Sequence, residues 1–179
     1  FQFQTFFDQV SLLLEQHDPS FIERIQFKSS FEFLSKLNQY LIYIENNYFT
    51  FAELRVASTV VPFPFIEERF KAYHRMPLLK RFPEVIKDIQ QYIRTNTQRK
   101  LNGRERALLW EAVPPMFKLG NVFDLYKDFY NWVGRPELFT MSNGVLEYAD
   151  VFPLIYFKIR LEGLQTNYNH IKHLLVDEM

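Results

Sequence analysis

The chain has 179 residues, enough for one domain with a proper core, or for one domain plus a piece of a second. Lys plus Arg and Asp plus Glu both total 21, so no global field draws in nucleic acid or anionic lipid, and any such contact has to be local. Cysteine is absent, which excludes a disulfide scaffold and thiolate zinc sites and fits a reducing, cytoplasmic setting, and no run approaches the roughly 18 apolar residues of a membrane span.

Helical signals dominate from the start. Phe6, Phe7, Val10, Leu13 and Leu14 mark one face of a first helix, which runs out before Asp18-Pro19. Ser20 with Glu23 has capping-box spacing, and so has Ser29 with Glu32. The second pair opens a longer helix with the stripe Phe31, Leu34, Leu37, Leu41 and Ile44. Tyr48 to Val61 is rich in aromatic and β-branched residues without helical spacing, which predicts one or two short strands in a small hairpin. Beyond Pro62 and Pro64 a helix runs from Phe65 to Tyr73. Met76 to Arg94 is helical again, with Pro83 predicting a kink or split at Phe82.

Thr95 to Gly103 is the most polar stretch and reads as a loop or tip. Asn102 and Glu105 cap the next helix, which Pro114-Pro115 stops. Asn121 opens another, through Phe123, Tyr126 and Phe129, closing at Gly134. Glu137 to Gly144 reads as loop. Asp150 then caps a helix through Leu161, with Pro153 harmless in its first turn and Gly163 at its end.

Arg94, Arg99, Lys100, Arg104 and Arg106 cluster across the polar tip. They read as a solvated helix end or, functionally, as a phosphate-touching or acid-touching tip. Phe63, Phe65, Phe70 and Tyr73 have helical spacing that favours core over a stacking platform. His170 and His173 lack a third ligand at a telling spacing, so no structural metal is expected, and no G-x-S-x-G elbow offers a nucleophile.

Ile171 to Val176 reads as a buried parallel strand that exits into Asp177-Glu178. Ligands of open α/β sheets sit at that end of a strand. Two carboxylates there suit nucleotide chemistry, Asp177 holding Mg²⁺ through a water and Glu178 polarising the attacking water. The plainer alternative is a strand that merely leaves the core through two acids.

The order of these last elements resembles the run into Walker B of UvrD/Rep-type superfamily 1 helicases, and more closely that of the HelD-like branch. The residues that carry the resemblance are Leu146-Glu147-Tyr148-Ala149-Asp150, Pro153 to Lys158, Arg160-Leu161-Glu162-Gly163 and Ile171 to Glu178. Phe27 to Phe33 followed by Tyr40-Leu41 looks like the opening of the helical insertion in HelD-like proteins. Gln4-Thr5-Phe6-Phe7 looks like the Thr-Phe-His motif that touches single-stranded DNA in UvrD-like enzymes, with Phe7 where the helicases usually have His.

The resemblance implies an internal piece between Walker A and Walker B of an ATP-dependent, Mg²⁺-requiring DNA helicase-type ATPase (hydrolase). The expected fold is mainly α: a helical inserted domain with a small β-hairpin, flanked by terminal pieces of a RecA-like α/β motor domain. Residues 1–20 would be the motor's edge, 21–143 the insertion and 144–179 the return to the motor. Asp177 and Glu178 would serve nucleotide and metal, Glu178 as the catalytic group. Thr5, Phe6, Arg99, Lys100 and Arg104 would be candidates for nucleic-acid contact. No G-x-x-x-x-G-K-[ST] loop occurs in the chain, so the piece alone is expected to be inactive. Its partner would be DNA, RNA polymerase or both, and the balanced charge favours the polymerase. A stand-alone helical protein-binding domain, unrelated to ATPases, is the alternative.

Overall fold

The computed structural model describes residues 2–15, 19–50, 52–56, 58–118 and 120–164. Over these the chain is mainly helical with two small sheets. The helices are α1 (Phe6–Glu15), α2 (Pro19–Lys28), α3 (Phe31–Asn47), α4 (Phe63–Ala72), α5 (Arg81–Thr97), α6 (Gly103–Ala112), α7 (Val122–Val133) and α8 (Val151–Glu162). The strands are β1 (Gln2–Phe3), β2 (Leu54–Val56), β3 (Thr59–Val61), β4 (Met141–Ser142) and β5 (Val145–Leu146).

Local sequence chemistry sets most helix ends. Asn102 Oδ1 accepts from Glu105 N at 2.9 Å while Glu105 Oε2 accepts from Asn102 N at 2.9 Å, a complete capping box on α6. Asn121 caps α7 through Asp124 N, and Gly134 ends it at φ 80°, where a Cβ would be strained. Three other boundaries differ from the sequence expectation. The cap of α3 is Ser30, one residue later than the Ser29 box, while Ser29 Oγ donates back to Ile25 O at 2.8 Å. α2 begins at Pro19, so Ser20 lies inside the helix and its hydroxyl accepts from Arg24 Nη1 instead of forming a box with Glu23. The break expected at Phe82 as a kink or split takes the form of a split slightly earlier: a 3-10 turn at Leu78–Lys80 precedes α5, which starts at Arg81, and Pro83 sits in its first turn, where the missing N–H does no harm.

One core runs through two groups of helices. In the first, α3, α7 and α8 pack together. Phe33 meets Phe129 edge-on at 5.2 Å between centroids, Tyr40 lies 5.7 Å from Phe129, and Tyr126 lies 6.1 Å from Phe157. The second group wraps α4, α5 and α6 around the antiparallel hairpin β2–β3, which confirms the expected hairpin within residues 48–61. Phe49, Phe70 and Phe117 fill it, with centroids 4.5 to 4.9 Å apart. Arg81 ties the groups: its buried guanidinium donates to Glu45 Oε1 on α3 at 2.6 Å and to the carbonyls of His74 and Met76, and it lies over the Phe70 ring.

The face of α3 is rotated from the one read in the sequence. Leu37, Leu41 and Ile44 are buried as expected, but their companions are Phe33 and Tyr40, while Phe31 is 85% exposed and Leu34 40%. Both stripes satisfy helical periodicity, and only the packing of α7 and α8 selects between them. Likewise, of the four aromatics expected in the core around α4, Phe70 is buried, Phe65 and Tyr73 pack at its edge, and Phe63 is half exposed.

The stretch 137–144, expected as loop, takes in most of a 3-10 turn at Pro136–Leu138, then β4 and the turn that leads into β5 of the hairpin β4–β5. Asn143 and Gly144 form its two-residue turn with φ of 49° and 79°, the geometry of a type I′ turn. β1 joins the far edge of β5 in parallel, Gln2 opposite Val145 and Phe3 opposite Leu146. The chain therefore leaves and re-enters the same small sheet with α1 to α7 in between.

Candidate functional site

Asp177 and Glu178, the pair expected to serve nucleotide and metal, lie outside the described residues, as do His170 and His173. Among the described residues no group of three or more His, Asp or Glu could hold a metal ion. Thr5 stands just ahead of α1 and acts as its cap. Its hydroxyl donates to Asp8 Oδ2 at 2.8 Å and accepts from Asp8 N at 3.2 Å, while Thr5 N donates to the same carboxylate at 2.7 Å. These bonds hold the Asp8 carboxyl below its ordinary range, the backbone bond contributing most. Phe6 is half exposed and meets Tyr148 edge-on at 5.8 Å.

The structure sorts the basic cluster into spent and unspent charges. Arg99 forks onto Glu105 with bonds of 2.6 and 2.9 Å. That pair, with the Asn102 N–H second, pulls the Glu105 carboxyl down to about 2. Arg104 stands on the first turn of α6, away from the concave surface. A cleft of about 250 Å³ between α5 and α6 gathers a different set: Lys87, Gln90, Gln91 and Arg94 from one stripe of α5, with Lys100 and Arg106 opposite and Leu101 at the base. Of the expected trio Arg99, Lys100 and Arg104, only Lys100 lines it. Lys87, Gln90 and Gln91 were passed over in the sequence. Their i, i+3, i+4, i+7 spacing with Arg94 was the available signal.

A second constellation is buried and was not foreseen. Asp150 was expected to cap α8, but its backbone is already helical and its side chain makes no cap bond. The fully buried carboxylate accepts instead from Lys28 Nζ on Oδ2 at 2.7 Å, and from the hydroxyls of Tyr126 and Tyr130 on Oδ1 at 2.8 and 2.9 Å. Each tyrosine has one proton and gives it to Asp150, so the 3.1 Å approach of the two hydroxyl oxygens is no further bond. Lys28 Nζ also donates to Glu147 Oε2 at 2.7 Å, and Glu147 Oε1 accepts from Arg24 Nε at 2.7 Å. Two cations thus face two carboxylates, and the ionised cluster is neutral.

Burial pushes the Asp150 carboxyl up, and Lys28 followed by the tyrosine hydroxyls pulls it back. Tyr126 and Tyr130 are raised far above the ordinary phenol range, chiefly by the same burial. The Lys28 and Asp150 side chains are closed to solvent, so no substrate reaches their charges. The cluster is a clamp that joins the end of α2 to the start of α8 and to α7.

Of these places, the α5–α6 cleft is open and lined by cations of which Arg94, Lys100 and Arg106 enter no ion pair among the described residues, whereas the charges of the buried cluster are paired with one another. No protein-family model, curated protein or solved structure matches this chain.

Proposed function

We propose that the chain is part of a superfamily 1 helicase-type ATPase of the HelD-like branch, the segment between its Walker A and Walker B motifs. The parent would couple ATP hydrolysis to translocation on DNA or to remodelling of RNA polymerase on DNA, in the cytoplasm. The observation that carries this reading is the parallel pairing of Gln2–Phe3 with Val145–Leu146. A helical insertion at residues 21–143 has to leave and return to its host at neighbouring points, and a pairing of the flanking segments 1–20 and 144–179 supports that reading. The RecA-like character of residues 1–20 and 144–179 rests on the resemblance of Leu146 to Glu178 to the run into Walker B.

In that parent, Asp177 would hold the Mg²⁺ of the nucleotide through a water, and Glu178 would orient the attacking water. Asp177→Asn should weaken Mg²⁺-nucleotide binding, while Glu178→Gln should spare binding and cut turnover. Equal, small effects of the two changes would reduce both to strand-exit acids. Residues 1–179 alone, without a phosphate loop, should not turn over ATP; activity lost on Glu178→Gln would overturn the assignment. The equal numbers of acidic and basic residues favour RNA polymerase over duplex DNA as the partner of the helical part, which pull-down with the full-length parent tests.

The alternative, a stand-alone helical protein-binding domain, draws support from the core. α8, in the segment assigned to the motor, packs on α3 and α7 within one continuous core. A fragment of residues 19–164 that folds cooperatively while the parent lacks ATPase activity would favour it.

A further inference from the structure

The even charge balance of the chain breaks down at the α5–α6 cleft. Four cations line it, Lys87, Arg94, Lys100 and Arg106, together with the amides of Gln90 and Gln91, and no carboxylate does. Lys87 is shared with Glu84 at 2.7 Å. Of the two acids adjacent in sequence to lining residues, Glu105 is taken by Arg99, and Asp88 accepts from the Tyr73 hydroxyl at 2.9 Å. Arg94, Lys100 and Arg106 enter no ion pair among the described residues. Like charges crowded on one concave surface repel, and the only ion pair at the lining among the described residues is that of Lys87 with Glu84. One helical turn beyond Arg106, on the same side of α6, stands Trp110 with half its surface exposed.

We propose that this cleft binds single-stranded nucleic acid, with Arg94, Lys100 and Arg106 on successive phosphates and Trp110 stacked on a base. The ligand chemistry follows from the donor set. Guanidinium forks and glutamine amides suit phosphate oxygens, and three unpaired cations exceed what one phosphate neutralises. An acidic peptide would satisfy the charges but brings a flat face to the Trp110 ring only where its sequence supplies one, whereas every nucleotide carries such a face. Duplex DNA keeps its bases stacked, whereas an unpaired base offers a free face. The inference rests on the α5–α6 surface alone and stands or falls separately from the ATPase reading.

The test is fluorescence anisotropy of a labelled oligothymidine titrated with the whole chain at several salt concentrations. Three phosphate contacts on a single strand give a slope of about −2 in log affinity against log salt, roughly a 20-fold loss between about 50 and about 200 mM. Arg94→Gln/Lys100→Gln/Arg106→Gln should flatten that slope and remove most binding at low salt. Trp110→Ala should weaken binding about 5- to 100-fold and leave the slope unchanged. Arg55→Gln/Lys158→Gln, which removes exposed charges elsewhere, should change neither. Circular dichroism checks that every variant keeps its helices. An unaltered slope in the triple variant overturns the site. Duplex DNA that competes better than the single strand, with no effect of Trp110→Ala, overturns the assignment of the ligand. So does polyglutamate competing equally well, which points to an acidic protein, or inorganic phosphate displacing the strand at equal phosphate concentration.

Discussion

Replacing Lys28 by Met keeps the length of the side chain and removes the charge that both Glu147 and Asp150 face. Glu147 still has Arg24 at 2.7 Å, but Asp150 is left with two neutral hydroxyls in a site closed to solvent. Breaking a buried pair from one side costs about 3–5 kcal/mol, because the remaining charge is uncompensated. For a chain of this size that is a fall in Tm of roughly 6 to 20 °C. The cost should depend on pH, with a definite sign. Burial already raises the folded-state pKa of Asp150 above its ordinary value, and losing Lys28 removes the strongest opposing pull. A carboxyl raised in this way favours the fold while it is protonated and opposes it once pH climbs through the folded pKa. The deficit of Lys28→Met should therefore shrink as pH falls from neutrality towards the ordinary carboxylate range. Adding Asp150→Asn should recover more than half of the loss at neutral pH, since the amide oxygen still accepts from Tyr126 and Tyr130. Urea and thermal unfolding followed by circular dichroism measure all three proteins. A single variant within about 1 kcal/mol of the parent, or a double variant no more stable than the single, would refute the clamp.

Phe33→Ala should cost about 3–5 kcal/mol and Phe31→Ala less than about 0.5, so urea unfolding of the two reports directly which face of α3 is inside. Asn102→Ala should lower stability by about 1 kcal/mol through loss of the α6 cap. Because the Glu105 carboxyl is held down to about 2, its support for that helix end is present above its ordinary value near 4.5 and lost as pH falls through the folded value. Acid titration of Glu105→Gln should lack that part of the transition. Gly163 adopts φ 76° and ψ 173°, a region open essentially to glycine, and a Cβ there would stand 2.9 Å from Pro77 Cγ. Gly163→Ala should cost about 1–3 kcal/mol in thermal unfolding, and losing nothing would place this turn elsewhere.

What the sequence determined by itself is local. The mainly helical class, the ends of α6 and α7, the closure at Gly163 and the hairpin of Leu54–Val61 each depend on a handful of adjacent residues, and a cap or a turn is decided within them. Asn143-Gly144 was equally legible, since it is the strongest short hairpin signal, but the strands it joins are two residues long and carry no alternating pattern to draw attention to it. The tertiary structure decided whatever depends on distant partners. Phe31 and Phe33 both fit a helical stripe, and only α7 and α8 bury the second. Asp150 has the chemistry of a cap and stands where one belongs, yet a lysine 122 residues away takes its charge into the core. Among the basic residues of the tip, the fold rather than the composition separates Arg99, bound to Glu105, from Arg94, Lys100 and Arg106, which face one cleft. Charge is written residue by residue, but whether it is spent on a neighbour or left for a ligand depends on which surfaces the packing of α5 against α6 brings within reach.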